Sequence, residues 1–126
     1  MDLPKLQEDG FETSEIDRVE LRDYQLCIGN RAGLIKKPGD VTYGLLAAMP
    51  FSDLARLYAA PGLEAYLPIR VNVHSLDSIK VYRADCYNIA PTAIGTKPNR
   101  NDADALANLL QSLGFPEPYT SRLRLL

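Results

Sequence analysis

Histidine, cysteine and tryptophan are scarce in this chain of 126 residues, which has one histidine, two cysteines and no tryptophan. One histidine argues against a metal triad and against a Ser-His-Asp site. Cys27 and Cys86 have no second cysteine or histidine at ligand spacing, so we expect no metal and no cofactor. Free thiols are typical of a reducing compartment, and the acidic N-terminus is unlike a signal peptide. We therefore expect a cytoplasmic protein.

The chain also lacks a charge excess and a long apolar run. Lys and Arg total 14, Asp and Glu total 16, and the net charge of −2 argues against a nucleic-acid partner. The longest apolar run, residues 45–51, is too short for a membrane span, so no membrane partner is expected. The hydrophobic fraction of 46% supports one domain over residues 1–126, with 1–17 and 117–126 at its periphery.

Alternating apolar residues predict four or five strands, and capping signals predict two or three helices. Asp23 interrupts the alternation of the first strand and predicts a bulge or a turn there. Lys36 to Asp40 has the composition of a turn. The predicted strands cover residues 19–28, 41–49, 69–74 and 79–89. The predicted helices are a short one that Gly10 ends, one that Ser52 caps and Pro61-Gly62 ends, and one that Asn101 or Asp102 caps and Gly114 ends.

Because short turns join consecutive strands, we predict an α+β fold. The sheet should be a small, mixed but mostly antiparallel β-barrel with two or three flanking helices. The tail from Tyr119 onward carries three leucines and is predicted to dock as an edge strand or against a partner.

Carboxylates are the acid–base groups left by the shortage of histidine. Glu64 lies between the end of a helix and the start of a strand, where loops often line pockets, but a solvated loop glutamate explains it equally well. Four tyrosines have two possible roles: their hydroxyls line a pocket, or their rings pack on the sheet. These are Tyr43, Tyr66, Tyr82 and Tyr87.

The order of five segments resembles a gamma-glutamylcyclotransferase-like protein, over roughly residues 19–90. The segments are LRDYQL (21–26), PGDVTYGLL (38–46), SDLARLY (52–58), PGLEAYLPIRVNV (61–73) and ADCY (84–87). This resemblance implies a small barrel that cleaves a gamma-glutamyl amide to 5-oxoproline and a free amine. One glutamate would act as base and then as acid. If the chain is active, we expect Glu64 to be this catalytic residue and Asn30, Tyr43, Tyr66 and Tyr87 to bind the substrate.

Two features depart from the pattern of this family. No Y-G-x-L strand precedes residue 19, and the position directly before the loop glycine, where the family has its acid–base glutamate, is Pro61. Two hypotheses follow. The chain is either an active variant that uses Glu64, or a non-catalytic module that binds a small gamma-glutamyl-type molecule or a protein. An unpaired sheet edge would in addition allow a homodimer.

Overall fold

The computed structural model describes residues 3–29, 31–95, 100–117 and 119, and it confirms an α+β fold. In this described part of the chain, four strands form one sheet in the order β2-β1-β3-β4, and each pairing is antiparallel. The elements are α1 (Leu3–Glu8), β1 (Ser14–Ile28), β2 (Ala32–Ala48), α2 (Phe51–Tyr58), β3 (Leu67–Ser75), β4 (Val81–Asn88), α3 (Pro91–Ile94) and α4 (Arg100–Ser112). The described pairings agree with the expected antiparallel character and include no parallel pair, and α3 is a helix that the sequence did not indicate.

A long hairpin of β1 and β2 dominates the sheet. Both strands begin earlier than predicted, and their register runs from Ser14 opposite Ala48 to Ile28 opposite Ala32. The predicted bulge at Asp23 is confirmed, since this residue has φ 67° and the register shifts there. The Asp23 carboxylate accepts a hydrogen bond of 2.9 Å from the Gly39 N–H. Residues 37–40 therefore form an excursion within β2 rather than a turn before it.

The β1–β2 hairpin contacts the hairpin of β3 and β4 at two places, one at each end. β3 pairs with β1 at Val19 opposite Ser75 and at Glu20 opposite His74. At the other end the side chain of Asn88 bridges β4 to β2: it accepts from the Leu34 N–H at 2.8 Å and donates to the Leu34 carbonyl at 2.9 Å. Backbone pairing among the described residues does not close the sheet, so the expected barrel is not confirmed.

Two hydrophobic cores include residues of the β1–β2 hairpin. The sheet core has Val19, Leu21, Val71 and Val73 at its centre. The helix-side core has Ala107, Leu110, Phe115 and Tyr119 at its centre. Neighbouring residues of β2 serve different cores, since Leu45 packs on the helix side and Leu46 on the sheet core. Burying each large apolar side chain stabilises the fold by about 1.5–3 kcal/mol.

Helix boundaries differ from the prediction where a cap was expected. Ser52 is not a cap, because α2 begins at Phe51 and the carbonyl of Pro50 accepts the hydrogen bonds of the first turn. Likewise α4 begins at Arg100, before Asn101 and Asp102. The helix-ending roles of Gly10 and Gly114 are confirmed by φ angles of 87° and 80°. Apart from Tyr119, the predicted tail strand lies outside the described residues.

Across the described part of the chain, no helix combines the length and the apolar character needed to cross a membrane.

Candidate functional site

Three tyrosines, from α2, from β4 and from the loop before β3, meet at one end of the sheet and form a group that we call the tyrosine cluster. The rings of Tyr58, at the end of α2, and Tyr87, in β4, stack with centroids 3.8 Å apart and planes at 8°. The ring of Tyr66, just before β3, lies 6.4 Å from that of Tyr58. Residues far apart in sequence thus assemble next to the loop that carries Glu64.

Tyr66 fastens this loop to the start of β2. Its hydroxyl donates a hydrogen bond of 2.6 Å to the carbonyl of Ala32. Two backbone hydrogen bonds of 3.1 Å shape the loop itself, from Leu63 N–H to the Ala60 carbonyl and from Tyr66 N–H to the Leu63 carbonyl. The short bond indicates that the loop is held in one position relative to the β1–β2 turn.

Burial controls the ionisation of the cluster. Desolvation raises the pKa of the Tyr58 hydroxyl to about 12, and it also raises the pKa of Tyr66 and the pKa of the neighbouring Cys86 thiol. At neutral pH these groups are therefore uncharged. The hydroxyls can bind a polar ligand through hydrogen bonds, and the rings can stack against it, but neither tyrosine is an anionic base.

Glu64, the expected catalytic residue, is exposed in the loop between α2 and β3. It forms no hydrogen bond or ion pair with any residue that the structure describes. Pro61, in the same loop, is also exposed, and the following Gly62 has φ 88°. The carboxylate therefore borders the tyrosine cluster in sequence, and no contact directs it toward the cluster.

The other predicted binding residues are divided. Tyr66 and Tyr87 join the tyrosine cluster, and Asn30 lies outside the described residues. Tyr43 packs in the helix-side core, with its ring 4.9 Å from that of Tyr119 and 6.0 Å from that of Phe115. It is not brought to the cluster, because its side of β2 faces α4.

Sequence analysis did not predict a role for Tyr58, which belongs to the tyrosine cluster, or for Asn88, which follows Tyr87 and hydrogen-bonds Leu34. Tyr58 shares an apolar helix face with Leu54 and Leu57, and this pattern indicates packing rather than a site. The one available signal was its position directly before the loop that carries Glu64.

A concavity lies at the other end of the β1–β2 hairpin, away from the tyrosine cluster. It is open, has a volume of about 470 Å³, and is lined by Glu12, Thr13, Ser14, Ala48, Met49 and Pro50. The Thr13 hydroxyl oxygen is buried and has no hydrogen-bond partner among the described residues. Among the described residues, no group of three His, Cys, Asp or Glu side chains could hold a metal ion.

Known proteins match this chain in structure but not in sequence. Neither a protein-family model nor a curated protein matches the sequence. Two solved structures resemble it over 90% of this chain and 74% of theirs, each at 20% identity. One is the human uncharacterized protein loc79017, with a TM-score of 0.74, and the other is a gamma-glutamyl cyclotransferase, with a TM-score of 0.73. The chain therefore has a gamma-glutamylcyclotransferase-like fold, as the sequence resemblance implied.

Proposed function

We propose that this chain is a gamma-glutamylcyclotransferase-like protein that binds a small gamma-glutamyl-type molecule beside the tyrosine cluster without cleaving it. The observation that carries the proposal is the contrast within one loop: Tyr66 is fixed by a hydrogen bond of 2.6 Å, whereas Glu64 is exposed and has no partner among the described residues. The fold shared with a gamma-glutamyl cyclotransferase supports the ligand class.

The chemistry explains why such a glutamate is a poor catalyst. In the cyclisation, the alpha-amine of the substrate attacks its own gamma-carbonyl, so a carboxylate must take a proton from this amine and return it to the leaving amine. Displacing a catalytic group by about 1 Å can lower the rate about a hundredfold, and nothing in the described structure fixes the rotamer of Glu64. Pro61, at the position of the family's glutamate, has no proton to exchange.

Calorimetric titration with gamma-glutamyl amines tests the binding, with 5-oxoproline measured in the same samples. We expect heat of binding and no 5-oxoproline. Tyr66→Phe should weaken binding several-fold, because the loop loses its tie to Ala32. Tyr24→Phe, a change of a half-buried tyrosine in the sheet core, is the matched control and should bind normally. Absence of binding by the wild-type protein would refute the proposal.

A second candidate is an active cyclotransferase that uses Glu64. Its support is that the exposed carboxylate is free to approach a substrate and lies two positions before Tyr66 in the same loop. Release of 5-oxoproline that disappears in Glu64→Gln but persists in Glu15→Gln, an exposed glutamate on β1, would favour this candidate over the first. Product that survives Glu64→Gln would exclude Glu64 as the acid–base residue.

A further inference from the structure

No strand among the described residues pairs with the outer edge of β4. β4 is the last strand of the sheet, and within the described ranges its only strand partner is β3. At its Asn88 end β4 also lies close to β2, and there the Asn88 side chain hydrogen-bonds the Leu34 backbone. The pairing with β3 runs from Val81 to Asn88 without a register shift, and no proline interrupts β4. Proline, bulges and covering loops commonly block such an edge, and β4 has none of the first two.

The two faces of β4 differ in character. Tyr82, Ala84 and Cys86 pack against the sheet core. The opposite face presents Val81, which is 55% exposed, followed by the exposed Arg83 and Asp85. This face therefore carries an apolar residue and two opposite charges at alternate positions.

The two charges differ in their partners. Asp85 accepts a hydrogen bond of 2.8 Å from Arg70 Nε through one oxygen, Oδ1. Arg83 lies opposite Asn72 in β3 and has no ion pair with any residue in the described part of the chain. A carboxylate oxygen and a guanidinium thus remain available on the same strand, two residues apart.

We propose that the β4 edge pairs with the β4 edge of a second copy of this chain, in an antiparallel register centred on Ala84. A two-fold axis requires the antiparallel arrangement. In this register each Arg83 lies opposite the partner's Asp85, and each Val81 lies opposite the partner's Tyr87. Opposite charges and a β-branched residue facing an aromatic one are favourable cross-strand pairs. Tyr87 also stacks on Tyr58 in the tyrosine cluster. The edge and its two charges carry the inference, and they do not require the proposed ligand.

The charge pattern makes the register testable by exchange. In Arg83→Asp alone, both symmetric positions would place aspartate opposite aspartate, and in Asp85→Arg alone they would place arginine opposite arginine. When the two variants are mixed, every position again has opposite charges. We therefore expect each variant to be monomeric alone and the mixture to form a heterodimer.

Sedimentation velocity measures this from about 10 to about 500 μM, where a small interface is expected to associate. The wild type should approach twice the chain mass of 14.0 kDa. Each single variant should dissociate at least about tenfold more readily, and the mixture should recover the dimer. Lys37→Asp, the same charge change at an exposed site on β2, is the control and should leave the dimer unchanged.

A wild type that stays monomeric over this range would overturn the proposal, and so would an undiminished dimer of Arg83→Asp. Failure of two variants with normal circular dichroism to combine would overturn the register.

Discussion

Replacing Asn88 with alanine should separate the two hairpins at one end of the sheet. The carboxamide of Asn88 makes two hydrogen bonds, of 2.8 and 2.9 Å, to the backbone N–H and carbonyl of Leu34. Each bond contributes about 1 kcal/mol, and each part-buried backbone group left without a partner costs about as much again. We therefore expect Asn88→Ala to lower the free energy of unfolding by about 2–4 kcal/mol.

Urea denaturation followed by circular dichroism measures this loss. With a slope of about 2 kcal/mol per molar urea, the transition midpoint should fall by about 1–2 M. Asn72→Ala removes an exposed carboxamide from β3 and is the matched control, with an expected change of less than about 0.5 kcal/mol. Equal midpoints for Asn88→Ala and Asn72→Ala would refute the role assigned to Asn88.

Asn88→Asp separates the acceptor role of this side chain from its donor role. An aspartate can still accept from the Leu34 N–H, but its second oxygen would face the Leu34 carbonyl and repel it while ionised. Protonation restores a donor, so the folded state raises the pKa of this carboxyl group. The stability of this variant relative to wild type should then be greatest below about pH 3.9 and fall as pH rises above that value.

Three further predictions concern single groups. Tyr66→Phe should cost about 0.5–1.5 kcal/mol in urea denaturation, because the hydroxyl loses a bond of 2.6 Å; an unchanged midpoint would contradict that bond. Absorbance titration should show that Tyr58 keeps its proton up to about pH 12. Because folding raises the pKa of this hydroxyl above its unfolded value, its contribution to the free energy of unfolding is complete below about pH 10. That contribution should be lost between about pH 10 and pH 12. This loss should be absent in Tyr58→Phe. Gly29→Ala would place a Cβ 2.6 Å from the Gly95 carbonyl oxygen and should cost about 1–3 kcal/mol, whereas Gly44→Ala meets nothing within 4 Å and should be neutral.

The strand pattern was readable where one face is buried and the other is not. β3 and β4 alternate cleanly, so both strands and their short connection were predicted. The bulge at Asp23 was visible because the alternation changes phase there. The start of β2 was missed because Lys36 to Asp40 has turn composition, and the bond between Asp23 and the Gly39 N–H that keeps the excursion within the strand is tertiary.

The candidate site was only partly predictable. Residues 45–49 are apolar at every position, so the sequence did not show which face of β2 would meet α4, and Tyr43 was assigned to the site instead of the helix-side core. Tyr58 has the periodicity of a core residue, and a ring that lines a site gives the same pattern. The bridge made by Asn88 depends on the curvature of the whole sheet, which no local pattern encodes.

The hairpin of β1 and β2 is a common wall between two cores, because Leu45 and Leu46 point into different ones. Because both cores include residues of β2, disrupting the packing of one core also destabilises the other. Protection against amide exchange along both strands should consequently disappear in a single step, and α4 should detach no earlier than the sheet comes apart.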